Sequence, residues 1–316
     1  MSNLQTVKVV SYESNLRPTW DAFVRSARNG HFFFQRGYLE YHRDRFEDSS
    51  LLVYADDRLL ALLPANVDGG TFVSHQGLTF GGFLVNHHMT GALMIGVFRA
   101  VLDYLRGRGV RLIVYKTIPH IYHREPTEED LYALHLLGAK LVRRDLSSAL
   151  ALGDGTRYSR GKRLNLARAE DADLTVARSG DFGSFSRLLE SVLEERHHVR
   201  PIHTAAELEL LARRFPDNIQ LYRVQSGGVL IAGALVFVNP SVVHTQYLAN
   251  SPSGRDVGAL DFLLDRLITR EFSAWRYLSF GISTEDEGRR LNEGLLHSKE
   301  AFGARGVVHD VYELSV

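Results

Sequence analysis

An apolar run at 242–249 carries His244, Thr245, Gln246 and Tyr247 and leads through Ser253-Gly-Arg-Asp-Val-Gly258 into a helical stretch. A strand that enters a Gly-containing loop and then a helix start presents free backbone N–H groups. Together with the helix dipole, these suit a pyrophosphate. Period two places His244 and Gln246 on one face of the strand, and Thr245 and Tyr247 on the other. Upstream, Glu194-Glu-Arg-His-His-Val-Arg-Pro-Ile-His203 gathers His198, Arg200 and His203 ahead of a helix. A histidine near its free pKa of about 6.5 can take the proton of an ammonium acceptor. As a metal set, Glu194, His198 and His203 lack a recognised spacing, so no metal is expected. Plainer readings stay open: loop histidines, a glycine that merely starts a helix, and a buried Tyr247 with its hydroxyl satisfied. A third group is basic, with Arg157, Arg160, Lys162, Arg163 and Arg168 preceding Glu170, Asp171 and Asp173. Such a run suits contact with a small phosphate better than with tRNA, and a solvated helix face is the alternative.

Positioning these groups takes more than one core. A chain of 316 residues suits two domains of about 150 residues each. The expected division is 1–150 and 151–316, with a linker at 150–156 around Gly153, Asp154 and Gly155. Lys+Arg and Asp+Glu both number 37, so there is no global field for polyanions. The absence of cysteine excludes disulfides, Cys-ligated zinc and a Cys nucleophile, and fits a cytoplasmic protein. No apolar run reaches the ~18 residues of a membrane span, and the N-terminus lacks a signal-peptide layout.

The first half reads as helices at 18–27 and 37–45, then a hairpin around Asp56-Asp57, with strands at 51–54 and 59–64. A strand at 71–75, helix at 90–106, strand at 110–115, helix at 128–137 and strand at 140–145 follow. Phe32, Phe33 and Phe34 read as core. The second half repeats the order: helices at 184–196 and 205–215, the latter led by a Thr204-x-x-Glu207 capping box, then a hairpin around Ser226-Gly227-Gly228. Next come a strand at 242–248, helix at 258–270, strand at 277–281, helix at 291–302 and strand at 307–314. Gly-Ala-Leu opens one helix at Gly91 and another at Gly258, an offset of 167, and later helices end at Gly138-Ala139 and Gly303-Ala304, an offset of 165. These paired positions in one series of elements indicate an internal duplication. The fold class is α/β (mixed α+β), with two mixed sheets flanked by helices.

The loop at 255–260 resembles the phosphate loop of the GNAT superfamily, Arg/Gln-x-x-Gly-x-Gly/Ala. Arg255 and Gly258 meet its first two fixed positions, whereas Leu260 departs at the third. The matching segment of the first half has His88 in place of the arginine. Phe280-Gly-Ile-Ser-Thr-Glu285, Gly288, Leu291-Asn-Glu-Gly-Leu-Leu296 and Lys299-Glu-Ala-Phe-Gly-Ala304 narrow the likeness to the FemAB-like, tandem-GNAT branch. That branch is related to peptidoglycan aminoacyl transferases and polysaccharide acyltransferases.

The resemblance implies a donor cleft in the C-terminal half and acyl transfer from acetyl-CoA or another acyl-CoA to an amine. The acceptor would be an amino-sugar, nucleotide-linked sugar or similar envelope precursor. Family members place an acidic Tyr four residues before a Gly; here Lys299 holds that position, and Leu134 holds it in the first half. Lys299 would then be the acid for the leaving thiolate, although a surface lysine paired with Glu300 or Glu287 is the plainer reading. His198 and His203 would serve as bases beside Tyr247. Arg255, Gly258, Ala259, Asn292 and Gln246 would hold the donor, and Arg200, His244, Glu285 and Arg163 the acceptor. No long helical-hairpin insertion like that of some Fem enzymes is present, which argues against an aminoacyl-tRNA donor. That donor and a non-catalytic nucleotide-sugar or partner-binding module remain as alternatives, and a homodimer stays open.

Overall fold

The computed structural model describes residues 7–153, 155, 157–197 and 201–316. They form two compact units. The first comprises residues up to Asp145 with Asp286–Arg289 and Val308–Val316; the second comprises Leu146–Glu285 and Arg290–Val307.

In the first unit, β1 (Val7–Ser11), α1 (Arg17–Ser26) and α2 (Arg36–Leu39) are followed by β2 (Leu51–Ala55), β3 (Arg58–Leu63), β4 (Asn66–Asp68), β5 (Thr71–Val73) and β6 (Leu84–Val85). Then come α3 (Gly91–Arg106), β7 (Leu112–Lys116), α4 (Glu129–Leu136) and β8 (Lys140–Ala151), whose end belongs to the second unit. The order β1-β2-β3-β6 makes one antiparallel sheet. The β2–β3 turn works because Asp56 and Asp57 both adopt positive φ, as a tight hairpin requires. Thr90 caps α3 by accepting the N–H of Leu93, and Met94, Val97, Phe98, Val101, Leu102 and Leu105 recur at helical spacing on its buried stripe. That stripe packs with Phe72, Phe83, Tyr115 and Leu134 in one core. The helix expected over 37–45 is shorter: α2 stops at Leu39 and a 3₁₀ turn follows at Glu40–His42. Phe32, Phe33 and Phe34 are buried as expected.

Arg36 ties this entry segment together. Its Nε donates to Glu40 at 3.0 Å, Nη1 donates to Ser50 Oγ at 3.4 Å, and Nη2 pairs with Asp48. The guanidinium also stacks over the Tyr12 ring, 3.7 Å from its centroid.

The second unit contains α5 (Arg160–Glu170), β9 (Leu174–Ser179), α6 (Phe182–His197), α7 (Ala205–Arg214), β10 (Ile219–Ser226), β11 (Val229–Val238) and β12 (Val242–Asn250). It continues with α8 (Pro252–Asp256), α9 (Ala259–Arg266), β13 (Tyr277–Ile282), β14 (Thr284–Glu285), β15 (Arg290–Leu291) and α10 (Glu293–Glu300). The last strand, β16 (Arg305–Ser315), ends in the first unit, where it pairs antiparallel with β7. Within the second unit the strand order is β8-β13-β12-β11-β10-β9. The capping box at α7 forms in both directions between Thr204 and Glu207. The start of the expected linker is sheet, because Leu150 and Ala151 pair with Leu278 and Tyr277.

Replacing Arg36 with Met should cost about 2 kcal/mol, since it strips charged hydrogen-bond partners from Glu40 and Asp48. In a domain of this size that corresponds to a fall of about 4–8 °C in the melting midpoint, measurable by calorimetry.

Candidate active site

The chemistry of the second unit gathers where two strands part. β12 and β13 run parallel for three pairs only, ending at His244 opposite Ser279. Each strand then carries an irregularity against its outer neighbour. Gln246 is the extra residue of a bulge between Thr245 opposite Val236 and Tyr247 opposite Leu235. Phe280 is the extra residue between Ser279 opposite Ala149 and Gly281 opposite Ser148. A bulge bends its strand and increases its twist, so two of them facing a common gap drive the strands apart. Beyond the last pair, the inward N–H and C=O groups have no ladder partner across the gap and can bind an extended ligand.

The bulge also overturns the expected distribution of side chains. An extra residue shifts the period-two alternation by one. His244, beside Phe237, and Tyr247, beside Leu235, therefore share a face, while Thr245 beside Val236 lies on the other.

Several groups converge on this region. Tyr247 Oη lies 2.8 Å from His203 Nδ1, and burial pushes the phenol pKa up, so the tyrosine stays protonated and orients the imidazole. His244 Nδ1 lies 3.1 Å from Ser279 Oγ, which also accepts the N–H of Gly281 at 3.4 Å. Gly281 has φ +75, and a Cβ there would stand 3.2 Å from the His244 ring; glycine makes room for that imidazole. Lys299 is 7% exposed rather than on the surface. Its ammonium donates to the carbonyls of Gly281 at 2.8 Å and Ile282 at 2.6 Å, pinning the end of β13. Burial lowers its pKa to about 8.

The residues expected to hold a donor diphosphate are engaged by the protein itself. Arg255 Nη1 donates to the Asn250 carbonyl at 3.2 Å and Nη2 lies 3.6 Å from Glu195. Gly258 precedes α9 at φ +73 with its Cβ direction closed by the Asn165 carbonyl at 2.6 Å, and Ala259 is buried behind it. Asn292 caps α10, accepting the N–H of Leu295 at 3.0 Å and donating to Glu285 at 2.8 Å. Glu285 also pairs with Arg290. Arg163 donates to the Tyr158 carbonyl. His198 and Arg200 lie outside the described residues.

The basic run is only partly solvated. Lys162 and Asn165 each bind the Asp261 carboxylate at 2.7 Å, and Arg168 donates to the Asp256 carbonyl. Asp261 and Ser279 escaped the sequence reading. An acid three residues after Gly258 was a legible warning against a phosphate at that helix start; Ser279 carried no signal before its pairing was known.

The first unit has the same beginnings. β5 and β7 run parallel for three pairs, Thr71, Phe72 and Val73 opposite Leu112, Ile113 and Val114. The segment after β5 then folds back across the end of β7. Gly82 backs onto the Tyr115 hydroxyl, which accepts the N–H of Phe83 at 2.8 Å. Lys116 Nζ donates to the carbonyls of His75, Gln76 and Leu78. The fork of this unit is filled by its own chain, and Leu134 is part of the core.

Residues 155–288 match a family model described as an acetyltransferase (GNAT) domain. No curated protein matches the chain in sequence. Among solved structures, FemX superposes with a TM-score of 0.67 at 12% identity, covering 96% of each chain. The L-PGS from Bacillus licheniformis gives 0.59 at 13% identity, covering 94% of this chain and 91% of that one. A tandem GNAT protein from the clavulanic acid biosynthesis pathway gives 0.54 at 12% identity, covering 98% of each. Residues 155–288 of the second unit therefore match a GNAT acetyltransferase domain, and the chain shares the tandem-GNAT fold of these structures. Among the described residues no helix is long and apolar enough to cross a membrane, and no group of three His, Asp or Glu is placed to hold a metal.

Because Gly258 is closed in by Asn165, its replacement by Ala should destabilise the ligand-free protein by about 1–3 kcal/mol. Calorimetry without any donor present checks this; an unchanged midpoint would return Gly258 to a purely ligand-binding role.

Proposed function

We propose that the second unit transfers an acyl group from a thioester to the amine of an amino-sugar or related cell-envelope precursor. The parting of β12 from β13 beside Lys299 carries this reading, because it offers backbone donors and one ammonium to an extended acyl arm. The FemAB-like sequence at 280–304 supports an envelope acceptor.

In this mechanism the acceptor nitrogen attacks the thioester carbonyl. A backbone N–H of β12 beyond His244 stabilises the oxyanion, an interaction whose loss typically lowers turnover by about 10²–10³. His203, oriented by Tyr247, takes the proton of the amine. As the C–S bond breaks, Lys299 protonates or stabilises the sulfur. An ammonium has three protons; two are directed at Gly281 and Ile282, which leaves one for the leaving group.

A second reading, transfer from an aminoacyl-tRNA, draws support from the engagement of Arg255, Gly258 and Asn292 within the protein, since that donor needs no CoA diphosphate site. Its mark would be steep weakening of donor binding with salt.

Changing Lys299 to Ala should lower kcat by about 10²–10⁴, the usual contribution of a positioned acid, while donor affinity changes little. Unaltered turnover would remove Lys299 from the chemistry. The acid must be protonated to act, so kcat should fall as pH rises through about 8. In Lys299→Arg, whose guanidinium keeps its proton, a pH–rate profile should lack that alkaline limb.

A further inference from the structure

The donor end of the second unit is built unlike a diphosphate site. The N–H of Gly254 donates to Ser251 Oγ, that of Arg255 to the Ser251 carbonyl, and that of Gly258 to the Arg255 carbonyl. Asp261 adds a carboxylate inside the first turn of α9, answering the helix dipole from within. Lys162 and Asn165 of α5 hold that carboxylate, so α5 is fastened against the turn where a diphosphate would lie.

What α5 offers outward is different. Arg160, Arg163, Leu164, Ala167 and Arg168 are all exposed, and steps of three and four residues put them on one face. Leu164 is 57% exposed in the midst of three arginines. An apolar residue ringed by positive charge complements an amphipathic acidic protein surface. It complements a nucleic acid poorly: phosphates gain nothing from a leucine, and three arginines fall below the roughly six to ten phosphate contacts that hold such ligands.

Resting on the thioester reading above, we infer that the acyl donor is presented by a small acidic carrier protein on a 4′-phosphopantetheine arm. The arm enters between β12 and β13 while an acidic helix of the carrier docks on α5. The amine nitrogen forms its bond to the acyl carbon and loses one proton to the base. The carbon–sulfur bond breaks, and the sulfur leaves as the thiol of the carrier's arm, protonated by the acid.

The test compares hexanoyl-pantetheine, hexanoyl-CoA and a hexanoyl-loaded acidic acyl carrier protein, titrated calorimetrically into the full chain and assayed for thiol release with a panel of amino sugars. The carrier should bind at least about tenfold more tightly than hexanoyl-CoA, and CoA no better than pantetheine, as expected when docking lies outside the arm. Arg160→Glu with Leu164→Glu should abolish the carrier's advantage while leaving thiol release from hexanoyl-pantetheine unchanged. A CoA ester that binds tenfold better than pantetheine would overturn the carrier and leave the thioester reading standing. Carrier binding without thiol release to any amine would keep the docking and overturn the amine acceptor. If no thioester binds and an aminoacyl-tRNA does, both fall.

Discussion

Everything in the second unit follows from a ladder that stops. Two parallel strands hydrogen-bonded along their whole length would leave no backbone group for a ligand. Here three pairs hold β12 to β13, and then a bulge on the far side of each strand bends it away. Each feature described around the gap serves the separation. Gly281 accepts a backbone angle that would strain other residues and clears space for an imidazole. Lys299 gathers carbonyls that the departing strand can no longer share with β12. Burial disfavours the ammonium's charge and lowers its pKa to about 8, which brings its proton within reach of neutral-pH chemistry.

The first unit shows the same constraint resolved the other way. Its strands also pair three times in parallel, but the chain between β5 and β6 returns over the gap and Lys116 binds that segment's carbonyls. Burial lowers the pKa of Lys116 to about 8 as well. Two lysines whose pKa burial lowers to the same range thus stand in different surroundings, one beside the gap between β12 and β13 and one bound to the segment that returns over its own gap.

Much of this was legible in the residues. The duplicated series of elements, the Asp56-Asp57 and Gly227-Gly228 hairpins and the Thr204-capped helix follow from local rules of periodicity, turn geometry and capping. Lys299 was picked out by the family's spacing to Gly303, but its burial against the end of β13 was not. What the residues did not disclose depended on non-local pairing. Nothing in Val242-Val-His-Thr-Gln-Tyr marks Gln246 as the extra residue, so strict alternation put Tyr247 on the wrong face. Arg255, Gly258 and Asn292 fit a donor-site pattern, yet only the fold shows that Arg255 and Asn292 pair with Glu195 and Glu285 and that the Asn165 carbonyl closes the space beside Gly258. The basic run concealed a division of labour, with Lys162 turned inward and Arg160 and Leu164 turned out.

The composition of the first unit bears on how the chain is made. β7 is completed by Val311–Ser315 of β16, and Thr117 donates to the carbonyl of Asp310, 193 residues further on. The same Asp310 holds Arg144 in a two-pronged pair at 2.7 Å. A nascent polypeptide emerges from its N-terminus and its domains ordinarily fold in that order. Here the leading unit must wait on the ribosome with an open strand edge, while the trailing unit is translated in full, and closes only when its last strand is delivered.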